Sequence, residues 1–207
     1  MSIVRLAFFF CASIFSTVTL ADEPPPPPKW AEGLILSETA KVDPVSPLTM
    51  GSKVIVLEKT PLAEVLSAVG SGEIHTQGDA GEFVAWLCYT VTSPETKQRL
   101  WLTSSELGGG TIIDGMSATE IPATTTPNNK CPELPGKFQP LHLGKNVWLG
   151  ATASELQRKL GTTKKTGNLL LYIYSGKQNE YDVMGTLAIE ISHSRAVAIH
   201  AVHSTTN

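Results

Sequence analysis

The chain has 207 residues, with 16 basic and 19 acidic side chains, a formal net charge of −3 and a hydrophobic content of 42%. That length suits one domain or two small ones, and the slight acidity, with no basic stripe beyond Lys164-Lys165, gives no footing for nucleic acid. Five histidines and three cysteines stand in no spacing that would hold a metal.

Residues 1–21 carry one basic residue, Arg5, an apolar run from Leu6 to Phe15, and small residues up to Ala21. This reads as a secretory signal cleaved after Ala21. A membrane anchor is the alternative, but the run falls short of the roughly 20 apolar residues a span needs. Cys11 follows Phe8-Phe9-Phe10 rather than small residues, so it leaves with the signal instead of carrying lipid. The mature chain is then periplasmic or secreted, with no integral membrane segment. It retains only Cys88 and Cys131, and in an exported protein such a pair predicts one disulfide, two free buried thiols being the alternative.

Residues 22–47 read as a proline-rich tether and lead-in. Pro24 to Pro28 cannot join a helix or a central strand, so an extended spacer is expected, with proline-rich recognition as the other reading. Gly33 to Leu36 could form a short strand, and order is expected to begin near Val54. Thr60 and Pro61 then predict a helix start, with Leu62, Val65, Leu66 and Val69 on one face and Gly70 and Gly72 as the stop. Phe83 to Val91 alternates as a strand. Residues 122–140, rich in Thr, Pro, Asn and Gly, read as a linker pinned by Cys131.

Beyond the linker, Thr152 and Glu155 form a capping-box pattern ahead of Leu156 and Leu160, with Gly161 as the stop. Leu169 to Tyr174 alternates as a strand. Leu187, Ile189 and Ile191, followed by Val197, Ile199 and Ala201, predict a closing hairpin across His193 to Arg195. A three-residue turn there pairs Ile191 with Val197, whereas a two-residue turn sets Ile191 opposite Ala196, so the former register is expected. Leu66, Leu87, Leu156, Leu171, Ile189 and Ile199 are the expected core.

Glu64 and Glu155, like Gly70 and Gly161, are separated by the same interval, which suggests an internal repeat. The predicted fold is therefore α+β, with two similar units, each a helix packed on an antiparallel β-sheet, over residues 48–121 and 141–207. The stretch Leu149-Gly150-Ala151-Thr152-Ala153-Ser154-Glu155-Leu156, leading to Lys159-Leu160-Gly161 and then to Leu169 through Tyr174, resembles the SmpA/OmlA (BamE) and beta-lactamase-inhibitory-protein-like units. The resemblance covers about Val147 to His203, and more weakly Val54 to Glu120. It implies tandem units whose joint sheet surface receives a partner protein. Two departures stand out: those inhibitors hold a disulfide within each unit, and the assembly factors carry a lipidated amino terminus.

No His-Glu-x-x-His run, Gly-x-Ser-x-Gly elbow or dinucleotide fingerprint occurs, and Gly70-Ser71-Gly72 closes a helix rather than opening one. His200 and His203 stand three apart on a predicted strand, hence on opposite faces. Glu190 and His200 are expected on one outer face, as a solvated cross-strand contact or as an acid-base pair. Trp86, Trp101, Tyr172 and Tyr174 are expected, by parity, to share the sheet face opposite the helices as a partly exposed patch. Together with Glu190 and His200 they form the expected partner-binding surface. The resulting expectation is a non-catalytic protein without metal or cofactor that binds another envelope or secreted protein, as an inhibitor or immunity-type protein against a hydrolase. An envelope assembly or structural accessory is the alternative, and a hydrolase with an unrecognised site is a third.

Overall fold

A computed structural model describes residues 23–29, 40–45, 47–93, 95–163 and 165–206. The expected secretory signal and the expected short strand at Gly33 to Leu36 lie outside these residues. In chain order the elements are β1 (Leu48–Met50), β2 (Lys53–Ile55), α1 (Leu62–Val69), β3 (His75–Gln77), β4 (Val84–Thr92), β5 (Lys97–Ser105), β6 (Gly115–Ile121), β7 (Leu141–Leu143), α2 (Ala153–Leu160), β8 (Lys165–Thr166), β9 (Leu169–Gln178), β10 (Tyr181–Ser192) and β11 (Arg195–Thr206). Strands and isolated bridges take 47% of the described residues and helix 14%.

The fold is predominantly antiparallel β, and the expectation of two similar helix-on-sheet units is overturned. Among the described residues one sheet of eight strands runs β3-β4-β5-β6-β11-β10-β9-β8, and a second, of three strands, runs β2-β1-β7. Antiparallel pairing of β6 with β11, from Ala198 opposite Thr119 to Val202 opposite Gly115, fuses the strands expected in separate units into one sheet. An unpaired β6 would expose a row of backbone donors and acceptors, which β11 instead satisfies. β7, expected to open the second unit, pairs with β1.

Local signals set the helices with one displacement. Gly70 ends α1 in the left-handed conformation at φ 79°, its N–H bonded to the Leu66 carbonyl, which a residue with a Cβ adopts only at a cost. The start lies one residue later than the pattern suggests, with extended Pro61 as the cap, because the Thr60 hydroxyl instead accepts from the Val56 N–H at 3.0 Å. α2 begins as expected: the Thr152 side chain accepts from the Glu155 N–H while the Glu155 carboxylate accepts from the Thr152 N–H. Those bonds hold the Glu155 carboxyl below its usual range.

The closing hairpin resolves the register differently. His193 and Ser194, at φ 49° and 66°, form a two-residue turn between Ser192 and Arg195, so Ile191 faces Ala196. A bulge between Glu190 and Ile191 then restores Ile189 opposite Ile199. The strand gains one unpaired residue at Val197, and the apolar face stays continuous where the sheet is widest. This arrangement combines the tight turn's favourable twist with the register the core demands.

The main core lies between one face of the large sheet and a layer made of the small sheet and the two helices. Leu87, Leu100, Leu102, Leu187, Ile189 and Ile199 meet Leu48, Ile55, Leu62, Val65, Leu143 and Leu156 in one buried cluster. Of the expected core residues Leu66 is only partly buried, and Leu171 is buried on the opposite face with Ile173 and Ala188. Residues 128–134 do more than link. Thr90 donates its N–H to Pro132 and accepts from the Leu134 N–H, and the Cys88 and Cys131 sulfurs are bonded.

Candidate functional site

Strand alternation gives the large sheet a second face, and the cross-strand pairs specify what it carries. Trp86 faces Thr103, Cys88 faces Trp101, Trp101 faces Ser117, and Ser117 faces His200. Trp86, Trp101, Cys88 and Cys131 form a buried cluster of their own. Trp86 is 2% exposed and Trp101 5%, so these rings are not the open aromatic patch that parity suggested. Two segments account for this: Cys131 of the disulfide-bearing segment clusters with both indoles, and the proline tract lies against Trp101.

Tyr172 and Tyr174 lie on the other face. Parity from Leu171 and Ile173 placed those aliphatic side chains in the core, but the pairs Leu187 with Tyr172 and Ile189 with Leu170 set Tyr172 among the main-core residues. Tyr172 is buried, and its hydroxyl donates to the Gly161 carbonyl at 3.2 Å, tying the loop after α2 to β9. Burial pushes its phenol up from the ordinary value. Tyr174 is half-buried against the same core. The expected four-residue aromatic surface is thus split between the two faces.

Glu190 and His200 do share the second face, with His200 opposite Ala188 as the pattern required. Their surroundings do not make an acid-base pair. Glu190 accepts from the Asn168 side chain at 2.6 Å in an exposed setting, whereas His200 is 4% exposed with Nδ1 at 3.0 Å from the Ser117 hydroxyl. Burial pushes the imidazole down to about 4. An imidazole with its pKa lowered by burial is held neutral at pH 7.

That shift predicts a pH response with a definite sign. The folded pKa of His200 is depressed from 6.5 to about 4, so its share of stability is present above pH 6.5 and is lost as pH falls toward 4. The full loss would be roughly 3 kcal/mol by the linkage relation. Urea unfolding at stepped pH should show this decline, and His200→Gln should flatten it. An unchanged slope in that variant would refute the assignment.

His203, on the opposite face as expected, lies between two carboxylates. Its Nε2 is 3.2 Å from Asp43 and its Nδ1 is 2.5 Å from Glu58. Glu58 stands at φ 60° and also accepts from the N–H and hydroxyl of Thr205, both at 2.7 Å. The bond to Asp43, then that to Glu58, raises the His203 pKa against the effect of burial. A hollow of about 410 Å³, lined also by Lys59 and Gln178, adjoins this group. The carboxylates engage opposite ring nitrogens, which is an ion-pair clamp rather than a chelating set. Among the described residues no group of three or more His, Cys, Asp or Glu could hold a metal.

The His203 clamp responds to pH in the opposite direction to His200. A raised folded pKa means that its contribution is present below the ordinary histidine value and is lost as pH rises through the folded one. In His203→Gln the stability difference from the unaltered protein should therefore shrink above neutrality. A difference that stays constant from pH 6 to pH 9 would exclude the clamp.

A groove of about 840 Å³ lies on the second face of the large sheet. Pro26, Pro27, Pro28 and Lys29 line it, as do Gln77, Val84, Thr103 and Val202. The proline tract is fastened there, because the Trp101 indole N–H donates to the Pro25 carbonyl at 2.9 Å. Composition favours a spacer for the tract, with proline-rich recognition as the other reading, and parity puts Trp101 on a surface patch. The available signal was chemical: an indole only donates, and a proline carbonyl only accepts.

Asp114 also reaches this groove but has a structural task. It accepts from the Ser105 N–H and hydroxyl and fixes the turn between β5 and β6, and burial raises its pKa. Gly108 in that turn approaches the Ile112 carbonyl and the Ser104 hydroxyl too closely to admit a Cβ. No family model, curated protein or solved structure matches this chain. The site therefore rests on its own geometry. No helix among the described residues is long and apolar enough to cross a membrane, and the disulfide is compatible with an extracellular location.

Proposed function

We propose that the mature chain is an exported, non-catalytic protein that binds another envelope or secreted protein through the groove on the second face of the large sheet. The observation that carries this reading is the groove itself, an opening of about 840 Å³ with one wall of prolines and another of sheet side chains. Its lining sets three prolines, Val84, Val202 and Met116 among scattered polar groups that include Gln77, Lys29, Glu82 and Asp114, and a mostly apolar wall with a few polar groups suits docking of a chain segment. The secretory pattern of residues 1–21 and the resemblance of Val147 to Gly161 to inhibitory and assembly units support the same reading. Inhibition of a hydrolase is its finer form.

Affinity capture from an envelope extract on the immobilised mature protein should recover a stoichiometric partner. Gln77 is exposed on a three-residue edge strand and lines the groove, so Gln77→Trp fills the opening without disturbing the core. That variant should lose about tenfold or more in affinity, the equivalent of about 1.4 kcal/mol, at an unchanged melting temperature. Capture of no partner by the unaltered protein, or undiminished binding by Gln77→Trp, would refute the reading. Hydrolase assays on the recovered partner, with and without this protein, test the finer form.

A further inference from the structure

We infer that the second sheet face around Trp101 is a recognition site for a polyproline segment of the partner, and that the chain's own Pro24 to Pro28 occupies it as a displaceable strap. The inference rests on the protein-binding reading above and names the chemistry of the occupant. Five consecutive prolines have their φ angles fixed near −65°, favour the polyproline II helix and present carbonyl groups with no N–H. The sheet face offers the complement. The Trp101 indole donates to the Pro25 carbonyl at 2.9 Å, and the face has apolar and hydroxyl side chains where the tract continues past Val84 and Thr103. Aromatic-lined grooves use this pairing to take proline-rich ligands that lose little entropy on docking.

Two observations indicate that the strap is one occupant rather than a fixed part of the core. The groove stays open alongside Pro26 to Lys29, and Pro26 is exposed, so the tract leaves room where a core segment would be sealed. On the same face, the buried Trp86 Nε1 has no hydrogen-bond partner among the described residues while the strap is docked. Trp86 and Trp101 are diagonal neighbours, through Cys88, so the docked tract satisfies one of two adjacent indole donors. A tethered strap competes at about millimolar effective concentration, which masks the site from weak ligands in the unaltered chain.

The test uses a fluorescently labelled peptide copying residues 22–30 and a control peptide with glycine at each proline. The full mature chain is compared with a variant carrying Pro24→Gly, Pro25→Gly, Pro26→Gly, Pro27→Gly and Pro28→Gly. The released variant should bind the proline peptide about tenfold or more tighter than the unaltered chain, and the control peptide should not bind. Adding Trp101→Phe to it should weaken binding about three- to tenfold, the worth of one neutral hydrogen bond. The Trp101 indole proton resonance of the released variant should shift on titration, which is a readout that survives if Trp101→Phe fails to fold. Equal affinity of both chains, an unmoved indole resonance, or binding of the control peptide would overturn the inference. So would an unaltered chain that is dimeric and becomes monomeric on strap release, since the tract would then belong to a second copy. If the proline peptide fails while affinity capture still yields a stoichiometric partner, the polyproline assignment falls and the protein-binding reading stands.

Discussion

Loss of the Cys88–Cys131 bond is expected to remove about 4 kcal/mol of stability, the loop-closure value for a cross-link spanning 43 residues. The bond closes the chain across β4, β5, β6 and the segment before β7, all of which are free to explore in the unfolded state once it is cut. Its native surroundings add to this. Cys88 and Cys131 pack with both buried indoles, and residues 132–134 bond along Thr90 of β4. Urea unfolding of Cys88→Ala/Cys131→Ala should therefore show a midpoint well below that of the oxidised protein. Reductant should shift the unaltered protein the same way and leave the double variant unmoved. A loss under about 1 kcal/mol would mean that the segment holds its place without the cross-link.

Leu156→Ala should cost about 2–5 kcal/mol, the range for truncating a fully buried leucine. Leu156 is the one buried residue of α2 and is 0% exposed within the main core. The rest of α2 is largely polar, with Ala153 and Leu160 only partly buried against the same core, so Leu156 is the helix's fully buried anchor. Hydrogen exchange in the variant should accelerate across Ala153–Leu160 before it does in β4 and β5. Leu66→Ala serves as the contrast, because Leu66 is only partly buried and its truncation should cost much less. Equal losses at the two positions would mean that the helix faces are wrongly assigned.

Several local features were legible in the sequence because they depend on neighbours a few residues apart. The capping box of Thr152 and Glu155, the left-handed stop at Gly70, and the opposite faces of His200 and His203 each follow from short-range geometry. The disulfide followed from counting the cysteines left after the expected signal. The closing hairpin was half legible. Its apolar residues demanded Ile189 opposite Ile199, but the two-residue turn at His193-Ser194 and the compensating bulge appear only when turn twist and core register are met together.

The candidate site was far less legible. Trp101 finds its acceptor at Pro25, and His203 finds Glu58 across 145 residues, so no window of sequence contains either pair. The side-chain alternation of β9 left two choices of inner face. Tyr172 and Leu171 are both large and apolar enough to be buried, and the pairing of β9 with β10 decided that Tyr172 meets the main core.

The sequence by itself determined the strand-rich character of the chain, its two short helices with their stops, and the identity of the cross-linking cysteines. Each is set by backbone preference, alternation or residue count. Only the tertiary structure decided that β6 joins β11 in one sheet of eight strands, that the proline tract lies on the Trp101 face, and that the aromatic residues divide between two faces. The physical reason is that strand edges carry the same backbone donors and acceptors whatever the side chains. Which edges meet, and which segment covers a face, is settled by the packing of the whole chain.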